Sequence, residues 1–249
     1  MDLTCSAPEA SSAMRGSAQL WRKLLVPDLA STGFILTLFL CLLLFDGTTT
    51  LFRDADSGWH IRIGEQILAT GTVPNIDPFS FSREGQPWFA WEWLADVAMA
   101  IAHKSAGLAG VALLYSLAIG ACTWLWFRLN WTVGGNFFLT AILAALMLST
   151  SNLHWLARPH VFSWLLLLGL LIFCETAKPK WNWTEAAALA LCGILWANIH
   201  ASFFLGSLLL VLYGIGRWTA SFLWPHAIHQ ARYGKKFFSL SAILLLSSV

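Results

Sequence analysis

Arg53-Asp54-Ala55-Asp56-Ser57-Gly58-Trp59-His60-Ile61-Arg62-Ile63-Gly64-Glu65 begins a few residues after an apolar run at 29–45 ends. Here alone do carboxylates, a histidine and arginines cluster, and nearly everything around the cluster is apolar. Trp59, Ile63 and Ile67 recur at helical spacing, with Arg62, Glu65 and Gln66 on another face. Gly71 and Pro74 then stop the pattern. The stretch predicts an amphipathic helix lying in a membrane interface, inside a loop spanning about residues 46–90. Asn75-Ile76-Asp77-Pro78 and Arg83-Glu84-Gly85-Gln86-Pro87 are turn chemistry that leads the chain back to Trp88 and Trp93.

Composition decides the class. With 57% hydrophobic residues, 11% charged residues and a mean hydropathy of +0.65, the chain has too few solvating side chains to cover a soluble globule. Fifteen Trp, many at the ends of apolar runs, fit interfacial aromatic belts. The basic residues are scattered between apolar segments, so a net charge of +2 does not describe a nucleic-acid partner. Cys41, Cys122, Cys174 and Cys192 lie within apolar runs and no CxxC spacing occurs. The cysteines read as small hydrophobes and not as a disulfide framework or zinc site.

Further apolar segments fall at about 90–103, 108–127, 137–148, 161–173, 186–196, 203–213 and 237–249. The expected fold is therefore all-α: a polytopic transmembrane bundle of about six to eight apolar helices with a large first outer loop. Residues 1–28 read as a cytoplasmic leader, with a short interfacial helix at 19–25, and residues 29–249 as the transmembrane domain. The run at 29–45 reads as a retained span, since Phe45-Asp46-Gly47-Thr48 lacks a small-x-small cleavage pattern. The last run has no polar flank, so the chain reads as cut inside a span.

Strict alternation of all these segments leaves few basic residues inside. If 90–103, carrying Glu92 and Asp96, lies along the outer surface or re-enters, the balance changes. Arg128, Lys178, Lys180, Arg217, Arg232, Lys235 and Lys236 then join Arg15, Arg22 and Lys23 on the cytoplasmic side, most of the fifteen. That arrangement also gathers the hairpin tips at 154–160 and 198–200 on the face of Asp54 and Asp56.

Asp54 and Asp56, two apart beyond a span, can share one divalent cation, Mg or Mn. Alternatively, one can hold a cation while the other takes a proton from an attacking hydroxyl. Equally, Asp56 suits an N-cap for the interfacial helix, and Asp54 a solvated position beside Arg53. His60, one turn on, can help hold a cation or phosphate, or anchor the interface. Arg62 and Arg83 match phosphate oxygens with paired donors, or are simply solvated, Arg83 next to Glu84. Arg158, before Pro159 at a hairpin tip, is costly at membrane depth unless it lines a polar cavity or meets an acid or head group; His160 and His200 follow the same logic or, at helix ends, simply satisfy carbonyls. Asp77 reads as a turn residue, and Glu65 as a partner of Arg62. Glu92 and Asp96 share a face, with Glu92 the better site candidate.

Taken together, Asp54-Ala55-Asp56, Trp59-His60-Ile61-Arg62, Gly64-Glu65, Ile67-Leu68, Pro74, Asp77-Pro78-Phe79-Ser80, Trp88 and Glu92-Trp93-Leu94 resemble a first-loop signature. It is that of bacterial GT-C type membrane glycosyltransferases, akin to protein O-mannosyltransferases, aminoarabinose transferases and oligosaccharyltransferase catalytic subunits. Arg158-Pro159-His160 and Trp196-Ala197-Asn198-Ile199-His200 resemble later motifs of the same group, so the resemblance covers about 29–213. It implies transfer of a sugar from a polyprenyl-phosphate donor to an acceptor at the outer face of the bacterial inner membrane. It also implies that Asp54 or Asp56 is the base or metal ligand, and that His60, Arg62, Glu92, Arg158, His160 and His200 line the substrate site. The rival reading is a non-catalytic lipid-binding, transport or assembly protein, although no pair of Gly/Pro-broken spans at matching positions marks an inverted-repeat transporter.

Overall fold

A computed structural model describes residues 28–248, and the described residues form helices joined by loops. Extended chain pairs at one isolated antiparallel bridge, Ile76 with Pro87. The leader expected before Asp28, with its helix at 19–25, lies outside the described residues. The helices are α1 Leu29–Leu42, α2 Gly47–Leu51, α3 Asp56–Thr70, α4 Trp93–Thr132, α5 Phe137–Ser151, α6 His160–Thr176, α7 Trp183–Ile199, α8 Phe204–Leu223 and α9 Gln230–Ser247.

Local chemistry places the ends. Asp28, Asn136 and Asn182 each accept an early backbone N–H at the starts of α1, α5 and α7. Gly71, at φ 69°, ends α3 in the left-handed conformation that costs glycine nothing. α4 is two helices joined end to end, because Ala106 and Gly107 leave helical geometry and Gly107 takes φ 60°. The separate segments expected at 90–103 and 108–127 are thus separate helices meeting at that break.

Three helical stretches are long and apolar enough to cross a membrane: Trp93–Thr132, Phe137–His154 and Ala201–Leu223. That is fewer than the six to eight expected. Leu29–Leu42, His160–Thr176 and Trp183–Ile199 are apolar but only 14, 17 and 17 residues long. At about 1.5 Å per residue they reach about 21–26 Å, short of a hydrocarbon core of about 30 Å. The last segment differs too: α9 starts at Gln230 and takes Lys235 and Lys236 into the helix. Lys236 is buried there, with Nζ 2.8 Å from the Lys178 carbonyl, 3.1 Å from the Lys180 carbonyl and 2.5 Å from Glu185 Oε2.

Two apolar cores meet along α6. Val161 belongs to the first, with Leu51, Ile61, Met99, Val111, Tyr115, Trp155 and Ala157. Leu170 and Cys174 belong to the second, with Trp196, Leu210, Phe237, Leu240 and Leu244. Trp196 Nε1 donates to Ser163 Oγ at 3.0 Å, which fixes α7 on α6. α1 sits on α4 through glycines at the contact: Gly33 faces the Phe127 ring and Gly120 faces Phe34. The most intimate approach is between α3 and α4, where a Cβ on Gly64 would lie 1.9 Å from the Asp96 carbonyl oxygen. α3 can therefore press its Ile61, Ile63 and Ile67 face into the core while its polar edge stays at the rim.

Candidate functional site

The first loop and the tip before α6 are stitched together by backbone groups. The Ala157 N–H donates to the Leu51 carbonyl at 2.8 Å, and Ser57 Oγ donates to the Ala157 carbonyl at 3.0 Å. Arg53, beside Asp54 in sequence, donates to the Leu153 carbonyl. Clasped on both sides, Ala157 holds its neighbour Arg158 against the loop acids. Arg158 Nη1 donates to Asp54 Oδ2 at 2.9 Å and Nη2 to Asp56 Oδ2 at 2.5 Å.

Asp56 is the first residue of α3 and not its cap. Ala55 holds the cap position, and Asp54, just before it, accepts the Asp56 N–H on Oδ1 at 3.1 Å. That backbone donor, and then the Arg158 guanidinium, hold the Asp54 carboxyl below the usual carboxylate range. Asp54 is correspondingly a poor proton acceptor. The guanidinium also stands between the two carboxylates, where a shared cation would have to be. Among the described residues no cluster of three or more His, Cys, Asp and Glu side chains could hold a metal ion. As arranged, both carboxylates are engaged by the Arg158 guanidinium.

A second group lies beside the first. His60 reaches across to α4, with Nδ1 2.7 Å from Asp96 Oδ1 and Nε2 3.6 Å from Glu92 Oε2. Asp96 is 2% exposed, and among the described residues its carboxylate is hydrogen-bonded by His60, as a buried charge requires. His200, between α7 and α8, accepts the Ser202 N–H on Nδ1 at 3.1 Å. A backbone N–H can only donate, so His200 carries its own proton on Nε2, 3.3 Å from Glu92 Oε1. Trp93 Nε1 donates to Asn198 Oδ1 at 2.5 Å and ties the same two regions together. Burial raises the Glu92 carboxyl, Asp96 adds to the rise, and His60 opposes it. Burial lowers the affinity of His200 for a second proton.

These groups surround a cavity of about 340 Å³ whose polar lining is Asp56, His60, Glu92, Asp96 and Arg158. The rest of its lining is largely aromatic: Trp59, Trp88, Phe89 and Trp91. Trp59 packs edge-on against Trp88, centroids 5.9 Å apart, and against Phe79 at 5.5 Å. Phe79 is held in turn because Asp77 Oδ1 accepts the N–H groups of Phe79 and Ser80, each at 2.9 Å, the turn role expected of it. A separate, mainly apolar cavity of about 530 Å³ lies between α1–α2 and α5, with Leu40, Leu44, Phe45 and Leu148 among its walls and Arg53 at its polar side.

Of the residues singled out from sequence, Asp54, Asp56, His60, Glu92, Arg158 and His200 come together here. Arg62 does not line the cavity; it pairs with Glu65 on the exposed face of α3, and Glu65 also meets His103 Nδ1 at 2.9 Å. His160 Nε2 donates to the His154 carbonyl at 3.0 Å, and the ring packs edge-on against Trp164. Sequence reasoning ranked Glu92 above Asp96, yet Asp96 is the residue bonded to His60. The Glu92/Asp96 spacing of one helical turn was the signal that both face one way. The aromatic wall, read from sequence as interfacial anchoring, had no separate signal. Comparison with known proteins found no matching family model, curated protein or solved structure.

Proposed function

We propose that this protein transfers a glycosyl unit from a polyprenyl-phosphate donor to an acceptor at the outer face of the bacterial inner membrane. The observation that carries the reading is one cavity lined both by acids and Arg158 and by Trp59, Trp88, Phe89 and Trp91. A pyranose presents apolar C–H faces and a rim of hydroxyls, and it needs aromatic surface and carboxylate acceptors together. The volume of about 340 Å³ falls in the range of small-molecule sites, about 300–1,000 Å³. Arg158 spends one donor on each aspartate and keeps further N–H groups for the phosphate that departs with the lipid. The apolar cavity walled by Leu40, Leu44 and Phe45 suits an isoprenoid chain.

In this reading the three shorter apolar helices also cross, which brings the number of spans to six, and the N-terminal leader is cytoplasmic. Membranes containing the full-length chain test it directly. They are incubated with a panel of radiolabelled polyprenyl-phosphate hexoses and pentoses, and label leaving the lipid fraction is counted. Asp56→Asn and Arg158→Gln should abolish the transfer while the protein still inserts normally. Full turnover by Asp54→Asn, Asp56→Asn and Arg158→Gln alike would overturn the assignment.

A further inference from the structure

The two aspartates that sequence reading puts forward as the base are committed to Arg158, and Glu92 Oε1 faces the protonated Nε2 of His200. One group on the cavity wall has a different arrangement. Gly64 lets α3 settle onto the Asp96 backbone, and His60, one turn earlier on the same helix, thereby reaches the Asp96 side chain. An ionised carboxylate only accepts, so the imidazole proton sits on Nδ1 and the lone pair of Nε2 points the other way. Nε2 lies 3.6 Å from Glu92 Oε2, beyond hydrogen-bond reach, and among the described residues it has no hydrogen-bond partner.

We infer that His60 is the general base of the transfer and that buried Asp96 is its positioning residue. The inference rests on the glycosyl-transfer reading. The acceptor hydroxyl oxygen bonds to the anomeric carbon as the bond from that carbon to the phosphate oxygen breaks. The bonding pair leaves on the phosphate, facing Arg158, and the hydroxyl proton passes to His60 Nε2. Asp96 fixes the tautomer and steadies the imidazolium that forms, the role an orienting carboxylate has in any acid–histidine pair. Around His60 the charged and titratable groups are Asp54 and Asp56 from the loop and α3, Glu92 just before α4 and Asp96 on it, Arg158 from the hairpin tip and His200 from the α7–α8 link.

The test uses the full chain in membranes with the same donor panel. His60→Ala should lose about a hundredfold or more in turnover, and added imidazole should restore part of it. Asp96→Asn should lower kcat by about tenfold or more and leave the KM for donor within about twofold, because Asp96, though on the cavity wall, is 2% exposed and its Oδ1 is engaged by His60. Turnover by His60→Ala close to that of the parent protein would overturn the inference and leave the transferase reading standing. So would an inactive His60→Ala that imidazole does not rescue, or an Asp96→Asn that raises KM alone. A parent protein that moves label from none of the donors overturns both.

Discussion

Gly64 meets Asp96 so closely that the two helices touch backbone to backbone: a Cβ on Gly64 would stand 1.9 Å from the Asp96 carbonyl oxygen. The Asp96 side chain, on the other hand, runs to His60. One residue thus joins the packing of α3 on α4 to the polar wall of the cavity.

Gly64→Ala should push the helices apart, because the obstacle is backbone and cannot rotate away. We expect a loss of about 1–3 kcal/mol in stability, the usual cost of overpacking. Gly58 is the control on the same helix: a Cβ there meets nothing within 4 Å. Gly58→Ala should be neutral or stabilising by about 0.5–1 kcal/mol through helix propensity. Thermal unfolding in detergent compares the two.

Arg158 bridges two carboxylates with two different nitrogens. A lysine keeps the charge but cannot span both acids at once. Arg158→Lys should therefore retain part of the turnover that Arg158→Gln loses, and its residual activity should be more sensitive to salt. Stability should change by no more than about 1 kcal/mol, since the pair is partly solvated and screened. Turnover measured at low and high ionic strength is the check.

Two carboxyls of the site give opposite pH dependences. The Asp54 carboxyl is depressed, first by the Asp56 N–H and then by Arg158. Its contribution is present above the unfolded carboxylate value of about 4 and is lost as pH falls through the lower folded value. The Glu92 carboxyl is raised, chiefly by burial. Its contribution is present below the unfolded value and is lost as pH rises through the folded one. Glu92→Gln should accordingly raise the melting temperature at neutral pH, and Asp54→Asn should flatten the acid side of the stability curve. Melting temperatures across pH 3–8 for the two variants give both signs at once.

Lys236 is 4% exposed and holds two loop carbonyls as well as Glu185. Removing it leaves those acceptors without their donor. Lys236→Ala should cost about 3–5 kcal/mol, and the additional Glu185→Ala change should recover part of that loss. A double-mutant cycle on thermal unfolding measures the coupling.

Much of the site was legible because its residues are polar amid apolar sequence. Asp54, Asp56, His60, Glu92, Arg158 and His200 stand out for that reason, and the turn role of Asp77 follows from the proline after it. The helix at Asp56–Thr70 was readable from its period and from Gly71. The pairing partners were not. Arg53 on the Leu153 carbonyl and Asp96 on His60 depend on which elements touch, and no local pattern encodes that. Lys235 and Lys236 misled for the opposite reason: charge usually marks the end of an apolar helix, and here a carboxylate and two carbonyls satisfy Lys236 within one.

By itself, the sequence determined an all-helical, strongly apolar chain with its chemistry concentrated after the first apolar run. Helical period and solvation preference are properties of neighbouring residues, and they survive in any arrangement of the helices. Only the tertiary structure decided that Arg158 faces both aspartates and that His60 faces Asp96. Those contacts join residues 102, 104 and 36 positions apart, and they exist because Ala157 is clasped between Leu51 and Ser57 and because Gly64 leaves room for the Asp96 backbone.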